Sequence, residues 1–323
     1  MLNVLLLVQK DQRVILDRLY DGICRYCNCD VRRLSSNEQD ELGRYFSRNV
    51  DLNRYDRVVL FLRFKKEIEQ ASFISRIPNL VILEHDAYQN FIPGKYSGKF
   101  SRHYRQLPSA RVITSGGYVA ERLRHEGVDA VFVPKGYDQA LLKDLGRARD
   151  IELGFVGSYA HKTYGARKAL LEELAMSENL LITRTRSGQE YLETLNRIRF
   201  FVSADVGFGE YMIKNFEAMA CGCLLITYDQ GHLENKLLGF EDMVNVVTYK
   251  SVGELRGKLA TLRQDTSLAK AIADEGKKLV ENRYSYDLIG KQIVDAIAAP
   301  LRPYVRLRFW QRWKARRAIP HSQ

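Results

Sequence analysis

This 323-residue chain has little proline and little tryptophan, seven and two residues respectively, and both tryptophans, Trp310 and Trp313, fall near its C-terminal end. No apolar run approaches the roughly 20 residues that a membrane-spanning helix needs, so any contact with a bilayer is expected to be peripheral. The opening MLNVLLLVQK lacks a basic leader and a small-residue cleavage site, and Lys10 and Asp11 end its apolar run early. It reads as a buried first strand and not as an export signal. Also missing are G-x-x-x-x-G-K-[ST], H-E-x-x-H and a complete G-x-G-x-x-G after the first strand. Kinase, P-loop and dehydrogenase readings lose their main support with them.

What is present fits a globular protein large enough for two cores. The chain is 46% hydrophobic and 28% charged, and its length makes two domains the expectation. Five cysteines are an odd number without an export signal, which points to reduced thiols and a cytoplasmic address. The cluster Cys24, Cys27 and Cys29 has no nearby His or fourth Cys to close a tetrahedral site, so buried thiols where a helix meets a strand are expected, and no metal is assigned. The formal net charge of +11 calls for an anionic partner.

Short apolar runs rich in β-branched residues alternate with helical patterns. NVLLLV, DRVVLFL, NLVILEH, ARVITS and DAVFVP form one series; IELGFVG, LLITR, RFFVSAD, CLLITYD and MVNVVTY form a second. Continuous apolar strands separated by helices mean parallel sheets covered on both faces. The predicted fold is therefore α/β, with an N-terminal domain over residues 1–140, a C-terminal domain over 151–295 and a basic aromatic tail over 296–323. The boundary is placed near 139–150. Two such doubly wound domains facing each other would put a ligand cleft at the carboxyl ends of both sheets. In the tail, Arg302, Arg306, Arg308, Arg312, Lys314, Arg316 and Arg317 interleave with Tyr304, Phe309, Trp310 and Trp313. That composition suits a segment lying in the headgroups of an anionic membrane; a disordered basic tail, or a helix packed back on the first domain, are the other readings. No nucleic-acid-binding motif accompanies the charge, and nucleic acid is not expected as a partner.

The stretch GFGEYMIKNFEAMACGCLLIT, residues 207–227, carries the most chemistry. A strand runs into a Gly-containing loop, then a helix from about Met212 to Cys221 with Gly222 as its C-cap, then another buried strand. The free N–H groups of the first helical turn, with Lys214 and Asn215 among its residues, form an anion site suited to a diphosphate. One turn in, the Glu217 carboxylate offers two adjacent acceptors for the vicinal hydroxyls of a ribose. The ordinary alternative is an amphipathic helix of a doubly wound fold.

The block FEAMACGCLLIT resembles the nucleotide-sugar-binding signature of group 1 glycosyltransferases, family 4 and its relatives, especially a spore-maturation-protein-like branch. The resemblance implies the GT-B fold, two Rossmann-like domains, and transfer of a sugar from a nucleoside diphosphate donor. In that family the last Glu of an E-x7-E element holds the ribose, and it maps onto Glu217. The first Glu does not map: Gly209 stands eight residues before Glu217, and the nearest acid, Glu210, comes one residue late. Residues 152–174 are similar to the family's first loop, where Gly157 and Ser158 allow close backbone approach and Lys162 and Arg167 would neutralise the leaving diphosphate. ITRTRSGQEYLETLNRIRFFVSAD resembles the family's base-contacting loop and helix, with Arg184 and the backbone near Ser187 as contacts. VITSGGYVAERLRHEGVDAVFVPKGYD resembles the last unit before the linker and marks the N-terminal half as the acceptor side. Just past a buried strand stand Glu84, His85 and Asp86; the resemblance implies catalytic positions near the transferred sugar for His85 and Asp86. A strand-end histidine packed on its own loop is the alternative.

No D-x-D triplet occurs, so the divalent-metal route of the other major glycosyltransferase fold has no ligands to recruit. No cofactor is expected beyond the donor, which would be UDP-linked. Family membership implies retention at the anomeric carbon, and the tail suggests a cell-envelope or lipid-linked glycan as acceptor. The first strand is followed by QKDQRV in place of the family's Gly-rich acceptor loop, so acceptor contacts are unassigned. A nucleotide-sugar epimerase of the same fold would need acid and base carboxylates in the first domain that the sequence does not reveal. A non-catalytic scaffold that keeps the fold is the remaining alternative.

Overall fold

The computed structural model describes residues 1–11, 16–159, 165–306 and 311. By contacts the chain divides into two units, Met1–Val133 with the chain from Ile289 onward, and Pro134–Leu288.

The first unit is built on six strands: β1 (Asn3–Gln9), β2 (Asn28–Leu34), β3 (Arg57–Phe61), β4 (Leu80–Glu84), β5 (Arg111–Thr114) and β6 (Asp129–Phe132). They lie in the order β2-β1-β3-β4-β5-β6, and every pairing is parallel. Residues Val4–Val8 of β1 are wholly enclosed, as a central strand covered on both faces requires. β2 is absent from the series of apolar runs. It is an edge strand, NCDVRRL, half-exposed over most of its length, and an edge can carry charge that a central strand cannot.

The second unit repeats the plan with β7 (Ile151–Val156), β8 (Leu180–Thr183), β9 (Ile198–Ser203), β10 (Leu224–Tyr228) and β11 (Val247–Tyr249), ordered β11-β10-β9-β7-β8 and again all parallel. Counted from its own first strand, this unit and the first five strands of the other share one topology. The chain leaves the first strand toward one edge, returns, and continues on its other side. The switch point therefore falls between β7 and β9 in the second unit. A crevice opens outside the carboxyl ends of such a strand pair, because the helices that follow the two strands cover opposite faces.

Both sequence-derived boundaries shift. Residues 134–150 belong with the second unit: Tyr137 exchanges backbone hydrogen bonds with Tyr284 and Tyr286, Leu142 is buried, and Arg149 donates to the carbonyls of Ile198 and Cys221 at 2.6 and 2.7 Å. The polar composition of the stretch hid an ordered strap. The closing helix Tyr286–Ala298 joins the first unit from Ile289 on. A Cβ at Gly290 would stand 2.4 Å from the carbonyl carbon of Gly22, so glycine permits that backbone contact. Arg57 donates to Ile297 O at 2.8 Å, and Arg111 to Ala296 O and Pro300 O at 2.8 Å each. These bonds satisfy carbonyls that a helix C-terminus leaves open. Beyond it, Arg302 bonds Gly127 O and Val305 N–H bonds Ser109 Oγ, both on the first unit. Phe309, Trp310, Trp313 and the basic residues of the tail from Arg308 on lie outside the described residues, and with them most of the segment expected to contact a membrane. Among the described residues no helix is long and apolar enough to cross a membrane.

Candidate functional site

The helix Ile213–Ala220 follows β9 through the loop 204–212. Its C-terminus closes as a Schellman motif: Cys223 N–H bonds Ala218 O, Gly222 N–H bonds Met219 O, and Gly222 takes φ +77°. The loop before it is held from several sides. Gly207 and Gly209 have φ of +75° and +69°, a region that favours glycine. Gly209 N–H donates to Gln230 Oε1 at 2.9 Å, Gln230 Nε2 donates to Asp205 O at 2.8 Å, and Tyr211 hydroxyl bonds Asn235 Oδ1. Glu210, the displaced acid of the E-x7-E pattern, is fully enclosed and ion-paired with the buried Lys135. Its side chain faces the interior of the unit.

At the start of the helix, Asn215 N–H already bonds Met212 O. Lys214 is half-buried, and its Nζ stands 4.6 Å over the ring centroid of Tyr191. Burial holds its ammonium below the ordinary amine range; the nearby Glu217 carboxylate opposes that shift, while the Arg167 and Arg184 guanidiniums add to it. Glu217 Oε2 accepts the Tyr191 hydroxyl at 2.6 Å. Burial pushes the Glu217 carboxyl above the usual carboxylate range, against the favourable pull of Lys214 and of the Tyr191 hydrogen bond. Asn215 is enclosed, and among the described residues neither Oδ1 nor Nδ2 has a hydrogen-bond partner.

The loop after β7 meets this helix. A Cβ at Gly157 would lie 3.0 Å from Lys214 Cε and 3.3 Å from its Cδ, so Gly157 leaves room for the lysine stem. Ser158 O accepts from Arg167 Nη1 at 2.9 Å. Arg167 is buried at the first turn of the helix Gly165–Ala175 and ion-paired with Asp205, and its guanidinium stands 5.4 Å over the Phe208 ring. Its charge is thus matched by a carboxylate inside the unit, whereas no carboxylate of the described residues pairs with Lys214. Lys162 lies outside the described residues. Arg184 is exposed just past β8 and contributes field at Lys214.

Of the sequence-derived candidates, Gly157, Ser158, Arg167, Lys214, Asn215 and Glu217 therefore gather at the carboxyl ends of β7 and β9, the switch point of the second unit. Tyr191, Asp205, Lys135 and Gln230 join them without having been singled out. Tyr191 sits in the helix Gln189–Arg197, part of the stretch that resembles the family's base-contacting loop and helix, where the sequence pointed to Arg184 and Ser187 and not to the tyrosine. His85 and Asp86 belong to the first unit, past β4. The His85 ring packs edge-on against Phe61 at 5.0 Å between centroids. Asp86 is exposed, and its N–H donates to Glu84 Oε1 at 2.7 Å. Behind them the first unit encloses a cluster that the sequence did not reveal. His103 Nε2 meets Glu67 Oε1 at 2.7 Å, both nearly inaccessible. Glu84 is held well above the usual carboxylate range, chiefly by burial and then by the Asp86 and Glu67 charges.

A family model described as glycosyl transferase-like matches residues 135–295, which span nearly the whole second unit. Among solved structures, HepE of Anabaena in complex with UDP and glucose superposes with a TM-score of 0.67 at 15% identity, covering 93% of this chain and 100% of its own. Sucrose-phosphate synthase from Thermosynechococcus elongatus gives a TM-score of 0.65 at 11% identity, covering 92% and 98%. The β-glucosyltransferase of phage T4 gives 0.59 at 12% identity, covering 92% and 99%. No curated protein matches. The fold is thus that of the GT-B glycosyltransferases, with two Rossmann-like domains, and the second unit is what the glycosyl transferase-like model matches.

Proposed function

We propose that the chain is a GT-B glycosyltransferase that binds a nucleoside diphosphate sugar, UDP-linked, at the switch point of its second unit and transfers the glycosyl group to an acceptor hydroxyl. The observation that carries this reading is the meeting of Gly157, Lys214 and Glu217 at the carboxyl ends of β7 and β9. A cation without a carboxylate partner among the described residues stands one helical turn from a carboxylate with an oxygen to spare. A diphosphate followed by a ribose has that pattern of charge and hydroxyls. HepE structures hold UDP and UDP-glucose, which supports the choice of nucleotide.

In this reaction Lys214 and the N–H groups that open its helix offset the charge that grows on the departing diphosphate. Glu217 anchors the ribose through the carboxylate oxygen not taken by Tyr191. Asp205 fixes Arg167, so that guanidinium orients the loop and supports the field at Lys214 without carrying its full charge to the ligand. Retention at the anomeric carbon, independence from metal, His85 and Asp86 as groups near the transferred sugar, and a cell-envelope or lipid-linked glycan as acceptor are part of the proposal. So is peripheral attachment to an anionic membrane through the tail.

The test is incubation of the full chain with radiolabelled nucleotide sugars in EDTA, without acceptor. Slow release of free sugar is the expected result; tight binding with no turnover would favour a scaffold, and conversion of the bound sugar into a stereoisomer would favour an epimerase. Glu217→Ala is expected to weaken UDP binding about tenfold or more, since a hydrogen bond to a charged group is worth roughly 1.5–3 kcal/mol. Unchanged affinity removes the ribose assignment.

A further inference from the structure

Lys214 and Glu217 stand three residues apart on one helix, the spacing at which a lysine and a glutamate ordinarily pair across a turn. Here they do not. The Lys214 ammonium lies over the Tyr191 ring at 4.6 Å from its centroid, while Glu217 Oε2 takes the Tyr191 hydroxyl at 2.6 Å. One side chain, arriving from the helix Gln189–Arg197, thus meets both. Tyr191 is itself only 8% exposed.

We infer that Tyr191 is a positioning residue that keeps the Lys214 cation and the Glu217 carboxylate from pairing, occupying the first with its ring face and one oxygen of the second with its hydroxyl, so that both remain available to a ligand. The inference deepens the donor-site reading and rests on it for the identity of that ligand. A lysine and glutamate closed on each other would cancel the charge a diphosphate needs and occupy the acceptor a diol needs. A phenol separates them at little cost, because a cation over an aromatic face keeps its charge, and a carboxylate accepting one hydroxyl retains further lone pairs. Arg167, matched by Asp205, cannot replace Lys214 in that role.

The test uses the full chain and two substitutions. Tyr191→Phe keeps the ring and the packing and removes the hydroxyl; Tyr191→Leu removes both. Without nucleotide, trace acetylation of Lys214 by acetic anhydride, read by peptide mass spectrometry, reports whether the amine is free or closed on Glu217. Labelling is expected to slow several-fold in both variants, more in Tyr191→Leu, and to recover when Glu217→Gln is added, because the carboxylate that captures the lysine is gone. With nucleotide, calorimetry should show UDP binding weakened about tenfold in Tyr191→Phe, with inorganic pyrophosphate affected less, as expected for disturbing a hydrogen bond to a charged group. Labelling unchanged in both variants and indifferent to Glu217→Gln would make Tyr191 a packing residue and overturn the inference. Should the labelling follow expectation while the unsubstituted chain binds no UDP, the donor reading fails and the separating role of Tyr191 stands.

Discussion

Gly157→Ala isolates the contact on which the proposed donor site depends. The backbone at Gly157 lies outside the positive-φ region that favours glycine, so alanine brings no conformational strain of its own, and the effect is steric. The new Cβ would stand 3.0 Å from Lys214 Cε, 3.3 Å from Lys214 Cδ and 3.0 Å from Phe155 Cζ. Phe155, part of the enclosed core of the second unit, must give by a few tenths of an ångström as well, but the lysine stem is the more flexible neighbour. Lys214 is therefore the group that moves most, away from the loop after β7. Overpacking of this kind costs about 1 kcal/mol of stability, and a comparable part of the lysine contribution to ligand binding goes with it, about fivefold in Kd. Lys214→Met sets the limit: a charge-assisted hydrogen bond to a phosphate is worth about 1.5–3 kcal/mol, roughly ten- to a hundredfold. Calorimetric titration with UDP on the two variants and on their combination is the assay. The combined variant should bind no worse than Lys214→Met alone, because both changes act through one ammonium. If Lys214→Met binds UDP as the unsubstituted chain does, the diphosphate assignment is wrong. If only Gly157→Ala is silent, the lysine does not depend on that loop, and the argument from the glycine contact is refuted.

Other expectations follow from neighbouring groups. Lys135→Met should strand the enclosed Glu210 carboxylate and cost about 3–5 kcal/mol, lowering Tm by about 10 °C in thermal melts followed by circular dichroism. Adding Glu210→Gln should restore most of the loss, and a single variant as stable as the parent would show that the pair contributes nothing. For UDP-glucose, affinity should fall on both sides of neutrality. Glu217 must be ionised to accept, and its raised pKa brings protonation at a higher pH than for an ordinary glutamate. Lys214 must be protonated, and its lowered pKa brings loss of charge at a lower pH than for an ordinary lysine. A pH series of binding constants with its limbs at ordinary glutamate and lysine positions would refute both assignments. Gly290→Ala should release the closing helix from the first unit, since its Cβ would meet backbone at Gly22 and Ile23; faster cleavage near residue 299 in limited proteolysis is the expected sign.

The sequence alone determined the α/β class, the two parallel sheets and the helix that bears Lys214 and Glu217. Each of these follows from local pattern: continuous apolar runs that only a doubly covered strand can bury, and a strand, Gly-containing loop and helix contiguous from residue 198 to 220. The loop glycines Gly157 and Gly207 were legible for the same reason, since a glycine next to a strand end marks a turn or a close approach.

Partnership between distant positions was decided only by tertiary structure. Tyr191 meets Glu217 across 26 residues, Lys135 meets Glu210 across 75 and Arg167 meets Asp205 across 38. No periodicity encodes such pairs, because each exists only once β7, β9 and their helices are laid side by side. The same holds for the strap 134–150 and the closing helix. Their polar or amphipathic composition is compatible with either unit, and packing against Tyr284, Ile198 and Cys221 in one case, and Arg57, Arg111 and Gly22 in the other, chose between them. The sequence led to the expectation of an anion site at a helix start; the tertiary contacts determined that Lys214, rather than Arg167, is the cation left without a carboxylate partner among the described residues.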